Sequence, residues 1–340
     1  MKIDLLTDAS AFERLKTEWN DLLHRSVTDT LFLTWEWQST WWEHLGVGEL
    51  RIITMREDDG ALVGIAPLFE ETWNDGTKSL SLIGCVDVSD YLDVIAAHGH
   101  EERVYAALLD TLTHADLLAW QGGVCLCTLP EASPSNTQLK QMAEARGLAT
   151  EWTLHDVAPV IDLPATWEAY LETLDKKQRH EVRRKLRRVQ ETNHRWYAVD
   201  ETMPLDQAVI DFVELHKKSR PDKHLFMDRR MEQFFVDMAR RLQPRGWLQL
   251  DFLEIDGARA ATILNFVYNN DVLVYNSGYD PEKYGAFSPG IVLFAFSIQD
   301  AIAANRRRFD FLRGNEEYKY RFGAHNTRVY ELHIRRRGDS

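Results

Sequence analysis

Two segments far apart in the chain carry one pattern. Glu57 opens EDDGALVGIAPLF and Glu254 opens EIDGARAATILNF, so each reads Glu-x-Asp-Gly-Ala and then an apolar run of the same length. Asp-Gly between two apolar runs is a hairpin signal, because glycine takes the positive φ that a tight turn needs. RIITMRE enters the first hairpin and LQLDFLEI the second. Helical patterns precede both, and further strand and helix patterns follow both. This constrains the chain to two copies of one α/β unit. At 340 residues it is long for one domain and suits two.

Taken in order, KIDLLT reads as a strand, and a helix with Phe12, Leu15, Trp19 and Leu22 on one face follows. Thr34 can cap the helix WEWQSTWWEHLG, which closes at Gly46. Its four tryptophans stand at helical spacing, where bulky aromatics more often build core than a ligand platform. After the first hairpin, SLSLIG and YLDVIAA continue the sheet. A helix near 101–119, the strand GVCLCTL, a helix near 135–146 and a strand from Trp152 to Leu163 come next. Pro159 and Pro164 set a boundary near 155–165, giving domains 1–157 and 158–340. In the second domain Thr166 can cap TWEAYLETL. The basic helix, helices near 205–219 and 228–243, the second hairpin and the strand VLVYNSG follow it. The tail RVYELHIRRR reads as a final strand.

Charge is uneven. Residues 1–150 carry 10 Lys+Arg against 24 Asp+Glu, while 151–340 carry 30 against 29. Lys176, Arg179, Arg183, Arg184, Arg187 and Arg188 recur at three- and four-residue spacing within 175–195. Such a face is ordinarily just solvated, but its basic excess also suits an anionic partner. That partner could be a nucleotide-sugar, a phospholipid surface, tRNA or the acidic first domain. Cys85, Cys125 and Cys127 lack zinc-site spacing and read as buried reduced thiols, which fits a reducing cytoplasm. MKIDLLTDASAF has acidic residues where a signal peptide needs an apolar core. No apolar run approaches the roughly 20 residues of a membrane span, so a cytoplasmic protein is expected. His194, His216 and His224 are scattered and no histidines pair at metal spacing, so no metal is expected. Nucleophile-elbow, P-loop and dinucleotide fingerprints are absent.

The chemistry concentrates between Tyr275 and Gly323. A strand ends in a turn-rich loop that passes through Ser288-Pro289-Gly290 into an apolar helix. The unpaired N–H groups and positive dipole end of such a helix can receive a pyrophosphate. After the short strand Arg308–Leu312 comes the polar patch RGNEEYKYR. Acyl transfer to an amine needs a neutral amine, a polarised carbonyl and a protonated or stabilised leaving group. The patch supplies carboxylates in Glu316 and Glu317, hydroxyls in Tyr318 and Tyr320, and cations in Arg313, Lys319 and Arg321. Asp310 alternates with Phe309 and Phe311 and faces away from them. The same residues could also form a solvated loop of ion pairs. Tyr279, Asp280 and Tyr284 precede the helix and could line an acceptor pocket, although Asp280-Pro281 is equally a turn.

The element order, with FLTWEWQSTWW, YNSGYDPEKYGAFSPG and FDFLRGNEEYKYRFG, resembles the GNAT acyltransferase superfamily. The likeness is to its CelD/BcsL-like branch, related to the tandem-GNAT FemABX proteins, and it covers nearly the whole chain. Its most specific element is Tyr-Lys-x-x-Phe/Trp-Gly, here Tyr318-Lys319-Tyr320-Arg321-Phe322-Gly323. The resemblance implies an α/β fold with mixed sheets in two tandem GNAT-like domains, the acyl-donor site lying in the second. It favours Lys319 as a contact to the reacting carbonyl or phosphate. By residue type Glu316 is the base candidate and Tyr318 the acid candidate, with the Arg313 cation in the same patch, and only geometry can rank such adjacent residues. The family phosphate loop, Arg/Gln-x-x-Gly-x-Gly/Ala, is replaced here by GAFSPG from Gly285 to Gly290. Pro289 has no N–H, so donors must come from Ser288, Gly290, Ile291 and Val292.

The expectation is an N-acyltransferase that moves an acyl group, acetyl from acetyl-CoA, to an amine in a ternary complex. The resemblance places the acceptor in envelope or exopolysaccharide metabolism. Two alternatives stand beside it: an aminoacyl-tRNA-dependent transferase, and a non-catalytic module that binds an anionic partner through the basic helix.

Overall fold

The computed structural model describes residues 1–85, 88–114 and 120–337. The chain divides into two compact units, Met1–Val157 with the chain from Arg328 onward, and Ala158–Thr327. The tail strand, expected in the second domain, falls in the first unit.

The first unit begins with β1 (Lys2–Leu6), α1 (Ser10–Leu15), α2 (Trp19–Leu23) and α3 (Trp35–Leu45). Next come β2 (Glu49–Arg56), β3 (Leu62–Thr72), β4 (Lys78–Leu82), β5 (Ile95–Ala96) and α4 (Glu101–Thr113). β6 (Val124–Pro130), α5 (Gln138–Ala145) and the start of β7 (Ala149–Asp162) follow. Only Ile95–Ala96 of YLDVIAA is strand, paired with β3. Residues 115–119 of the expected helix lie outside the described residues. Thr34 caps α3 by accepting the Trp37 N–H. Three of the four α3 tryptophans are core and Trp42 is half-buried: Trp37 is fully buried with its indole N–H on Ser89, and Trp35 donates to the Phe12 carbonyl.

The second unit holds α6 (Trp167–Thr173), α7 (Lys176–Gln190), β8 (His194–Ala198), α8 (Leu205–Ser219), α9 (Pro221–Phe226) and α10 (Arg229–Leu242). β9 (Leu248–Ile255), β10 (Ala258–Tyr268), β11 (Asp271–Tyr279), α11 (Pro281–Tyr284) and α12 (Pro289–Ala303) follow. β12 (Arg308–Asp310) and α13 (Glu317–Arg321) complete it before β13 (His325–Arg335). Thr166 caps α6 and Asp175 caps α7.

The two units share one order of strand senses. In the first, β1-β2-β3-β4 are antiparallel, β4–β6 is parallel and β6–β13 antiparallel. In the second, β8-β9-β10-β11 are antiparallel, β11–β12 is parallel and β12–β7 antiparallel. The repeated hairpins fall at β2–β3 and β9–β10. The second is tight, with Asp256 and Gly257 at φ 54° and 76° between paired Ile255 and Ala258. The first is wider, because Asp59 accepts the Ala61 N–H and Glu57 pairs with Ala61 across the loop.

α12 is buried along most of its length against β9–β11 and against Val182 and Val189, the two buried residues of α7. Apolarity on all sides suits such a core helix. Among the described residues no single helix is long and apolar enough to cross a membrane. Pro281–Phe287 and Pro289–Ala303 reach that length only as a pair bent by 61°.

The cysteine reading needs correction. Cys85 and Cys127 are joined in a disulfide, with Cα atoms 6.0 Å apart, and only Cys125 is free. β4 and β6 run parallel and pair at Leu80–Val124 and Ser81–Cys125, so the chains beyond carry the two thiols to one place. Linear spacing does not show such convergence.

Candidate active site

β11 and β12 pair at only three positions, Asp271–Arg308, Val272–Phe309 and Leu273–Asp310. β11 runs on to Tyr279, whereas the other chain turns away through Leu312 at φ 57° and Gly314 at φ 107°. The strands therefore part and leave one edge of β11 with backbone donors and acceptors outside any ladder. Opposite the parting, the β10–β11 register shifts between Leu264 and Asn265, making Tyr275 a bulged residue. Bulges of this kind re-aim side chains and frequent active sites.

The loop after β12 closes on Lys319. Its side chain is buried, and its ammonium donates to the carbonyls of Leu312, Arg313 and Gly314 at 3.2, 2.7 and 2.9 Å. Glu316 Oε2 lies 2.9 Å away. An ammonium has three N–H bonds, and all are spent within the loop. The motif resemblance favours Lys319 as a contact to the reacting carbonyl or phosphate; its geometry is that of a loop staple. Glu316 keeps its carboxylate half in solvent. Tyr318 packs against Phe294 and Phe311, and burial, with the Glu316 charge nearby, pushes its hydroxyl upward so that it stays protonated. Arg313 enters the staple through its carbonyl.

Two residues outside the sequence-based candidates meet the open edge of β11. Ser277 O accepts from Lys223 Nζ of α9 at 2.5 Å and from His216 Nδ1 of α8 at 3.1 Å. Burial, then Arg220, brings the Lys223 ammonium down to about 8 against the pull of Asp222 and Glu316. Burial and Lys223 hold the His216 imidazole down to about 3. With its proton on Nδ1, neutral His216 carries its lone pair on Nε2, which is buried and has no hydrogen-bond partner among the described residues. α8 approaches this closely because position 278 is glycine: a Cβ there would stand 2.4 Å from His216 N. Gly278 within a strand was the available signal.

α12 begins at the far end of β11. Ser288 is left-handed at φ 52°, its N–H donates to Gly285 O, and the Val292 N–H donates to Ser288 O. Of the four expected anion donors, Gly290 and Ile291 thus retain open N–H groups. The Tyr279 ring faces Gly290, 3.8 Å from where a Cβ would stand. Asp280 instead caps α11 by accepting the Lys283 N–H, and Tyr284 is buried core. The basic helix reaches the same loop, with the Arg188 guanidinium 5.7 Å over the Phe287 ring. On that helix Arg184 pairs with Glu181, and Arg179 donates to the Glu172 and Leu174 carbonyls. Lys176, Arg183 and Arg187 are exposed and have no ion pair among the described residues.

In the first unit the corresponding parting of β4 and β6 is filled. Gln38 donates to the Ile83 carbonyl just past β4, and the Cys85–Cys127 disulfide closes the gap.

Residues 176–320 match the model of the acetyltransferase (GNAT) domain, from the first residue of α7 into α13. The chain is similar to the crystal structure of FemX, with TM-score 0.69 and 12% identity, covering 98% of this chain and 97% of that one. It is also similar to a conserved protein of unknown function from Bacteroides thetaiotaomicron (TM-score 0.59, 10% identity, 97% and 99% covered). The likeness to L-PGS from Bacillus licheniformis has TM-score 0.59 and 10% identity, covering 94% and 92%. No curated protein sequence matches the chain. At these identities the structural likeness is one of fold: the expected mixed α/β architecture is found over the whole chain, and the match to the acetyltransferase (GNAT) domain model lies within residues 176–320.

Proposed function

We propose that the second unit is an N-acyltransferase that moves an acyl group, acetyl in the simplest case, from acyl-CoA to an amine. The observation that carries this reading is the parted edge of β11, which runs from the Tyr275 bulge to the open N–H groups of Gly290 and Ile291. A donor lies along that edge with its phosphates at the helix start. The amine enters beside Glu316, whose carboxylate takes its proton as the nitrogen attacks the thioester carbonyl. Lys223, which holds Ser277 O on the edge of β11, is assigned the stabilising of the oxyanion, and the protonated Tyr318 hydroxyl supplies a proton to the leaving thiolate. No covalent enzyme intermediate forms. Lys319 acts by holding the loop that carries Glu316 and Tyr318. Tyr279 lines the donor end, and the CelD/BcsL-like motifs favour an acceptor from envelope or exopolysaccharide metabolism.

Calorimetry with acetyl-CoA, followed by a screen of amine acceptors for acyl incorporation, tests this reading. No heat and no melting shift at about millimolar donor would remove the CoA assignment. Glu316→Gln and Tyr318→Phe should each cut turnover by roughly 10²–10⁴ when assayed well below the melting temperature of the variant. Full turnover in either variant removes that residue's role.

A second reading rests on Lys176, Arg183 and Arg187. These exposed cations, with no ion pair among the described residues, lie on the helix whose Arg188 reaches the donor loop and suit a polyanionic donor such as aminoacyl-tRNA. They also suit a module that docks an anionic partner without chemistry.

A further inference from the structure

The first unit holds a cluster that the transfer reaction does not use. Cys125 on β6 faces His333 on β13 directly across the antiparallel ladder, and Glu331 shares that face two residues before His333. A register shift between Tyr330 and Leu332, beside Thr128 at φ 54°, sets this pairing. One ligand atom from each of Cys125, Glu331 and His333 lies within 4.8 Å of the other two. His333 Nε2 is 2.5 Å from Glu331 Oε1, and His155 Nδ1 on β7 is 3.4 Å from Glu331 Oε2. Cys125, Glu331 and His333 are partly buried, and His155 stands at the outer rim.

We propose that Cys125, His333, Glu331 and His155 form a binding site for a divalent transition-metal ion of the zinc type. Four ligands around zinc stand roughly 3.4–3.8 Å apart, given metal–ligand distances of about 2.0–2.3 Å. Cys125, Glu331 and His333 therefore need only to contract slightly to hold an ion, and His155, which meets the cluster at Glu331, must swing inward to complete the four. The donor set decides the class of metal: one thiolate, two imidazoles and a carboxylate suit zinc, whereas calcium and magnesium take oxygen ligands. Binding releases the Cys125 proton to solvent as the Zn–S bond forms. The ion would tie β6, β13 and β7 together. Sequence spacing hides the site because its ligands come from three strands.

The test is titration of the purified full chain, without reductant, with Co²⁺ as a spectroscopic probe and Zn²⁺ as competitor. One Co²⁺ per chain should give a thiolate charge-transfer band, removed by one equivalent of Zn²⁺, and Zn²⁺ should raise the melting temperature. Cys125→Ser should abolish the band, and His333→Gln should weaken Zn²⁺ binding at least about tenfold. Cys125→Ala repeats the measurement if the serine variant does not fold. A folded wild-type chain with no thiolate band overturns the proposal. So does a band that persists in Cys125→Ser, or equal Zn²⁺ affinity in both variants and wild type, which would assign the ion to other histidines.

Discussion

The ammonium of Lys319 lies 2.7 Å from the carbonyl oxygen of Arg313 and completes a buried staple across the loop that follows β12. Lys319→Met removes the charge but keeps the bulk, leaving three carbonyls without their donor. Each buried acceptor so orphaned costs about 1–3 kcal/mol where water cannot reach it. The variant should therefore lose on the order of 2–4 kcal/mol in urea unfolding and lose transfer activity with it. A substrate-contacting lysine behaves otherwise: activity falls while stability holds. Unchanged stability in Lys319→Met would sink the staple.

Gly278 and Gly290 should respond oppositely to substitution. At 278 a Cβ meets backbone atoms of His216 and Leu215 at 2.4 and 2.5 Å, so α8 must lift from β11. Gly278→Ala should cost about 1–3 kcal/mol or more. At 290 there is room, and Gly290→Asp adds a carboxylate that favours the N-terminus of α12 by about 0.3–1 kcal/mol while repelling a phosphate. The melting temperature should hold or rise as donor binding falls. Donor binding that survives Gly290→Asp would move the phosphate site elsewhere.

Local signals made most of the fold legible. Thr34 and Thr166 cap the helices expected of them, and the two Asp-Gly hairpins sit at matching places in the two units. β8 escaped because HRWYA is short and half-polar, and α9 because no side chain of PDKHLF is fully buried, so it has no apolar stripe to read. At the candidate site the loop and the helix start were legible, but their partners were not. Ser277 acts through its carbonyl, which has no side-chain signature, and His216 and Lys223 reach it from helices 54 or more residues away in the chain. Lys319 stood out as a motif residue, yet its partners are backbone carbonyls, which a motif cannot show. The Cys85–Cys127 disulfide depends on two strands pairing in parallel, a tertiary fact.

Charge reversal on α7 separates the donor classes. Arg183→Glu with Arg187→Glu removes two exposed cations that make no ion pair among the described residues, so the fold should keep its stability within about 0.5 kcal/mol. If the donor is an aminoacyl-tRNA, its affinity should fall and its logarithmic salt slope should shrink by about one for each phosphate no longer neutralised. If the donor is acyl-CoA, filter binding to tRNA should show little affinity in either protein. A salt slope identical in wild type and variant removes α7 as the nucleic-acid surface.

Asp251 and His216 should bend the pH dependence of stability in opposite senses. Asp251 is fully buried, and burial, with Asp300 nearby, lifts its carboxyl to about 7 against its bonds from Gln249, Ser297 and Asn265. Between its ordinary 3.8 and about 7 the folded chain holds a proton that the unfolded chain releases, so its contribution to stability falls as pH rises. His216 is held down to about 3 from its ordinary 6.5, so the unfolded chain takes the extra proton and stability rises with pH across that window. The two slopes oppose one another from about 4 to 6.5, leaving only the Asp251 loss just above. Asp251→Asn keeps the shape and cannot ionise. It should match wild type near pH 4, gain stability with rising pH, and exceed wild type at pH 8 by a few kcal/mol at most, because each tenfold change in acidity is worth about 1.4 kcal/mol. Urea unfolding of both proteins across about pH 4–8 measures this. Parallel curves for wild type and variant would mean that Asp251 is ionised throughout, with its bonds outweighing its burial.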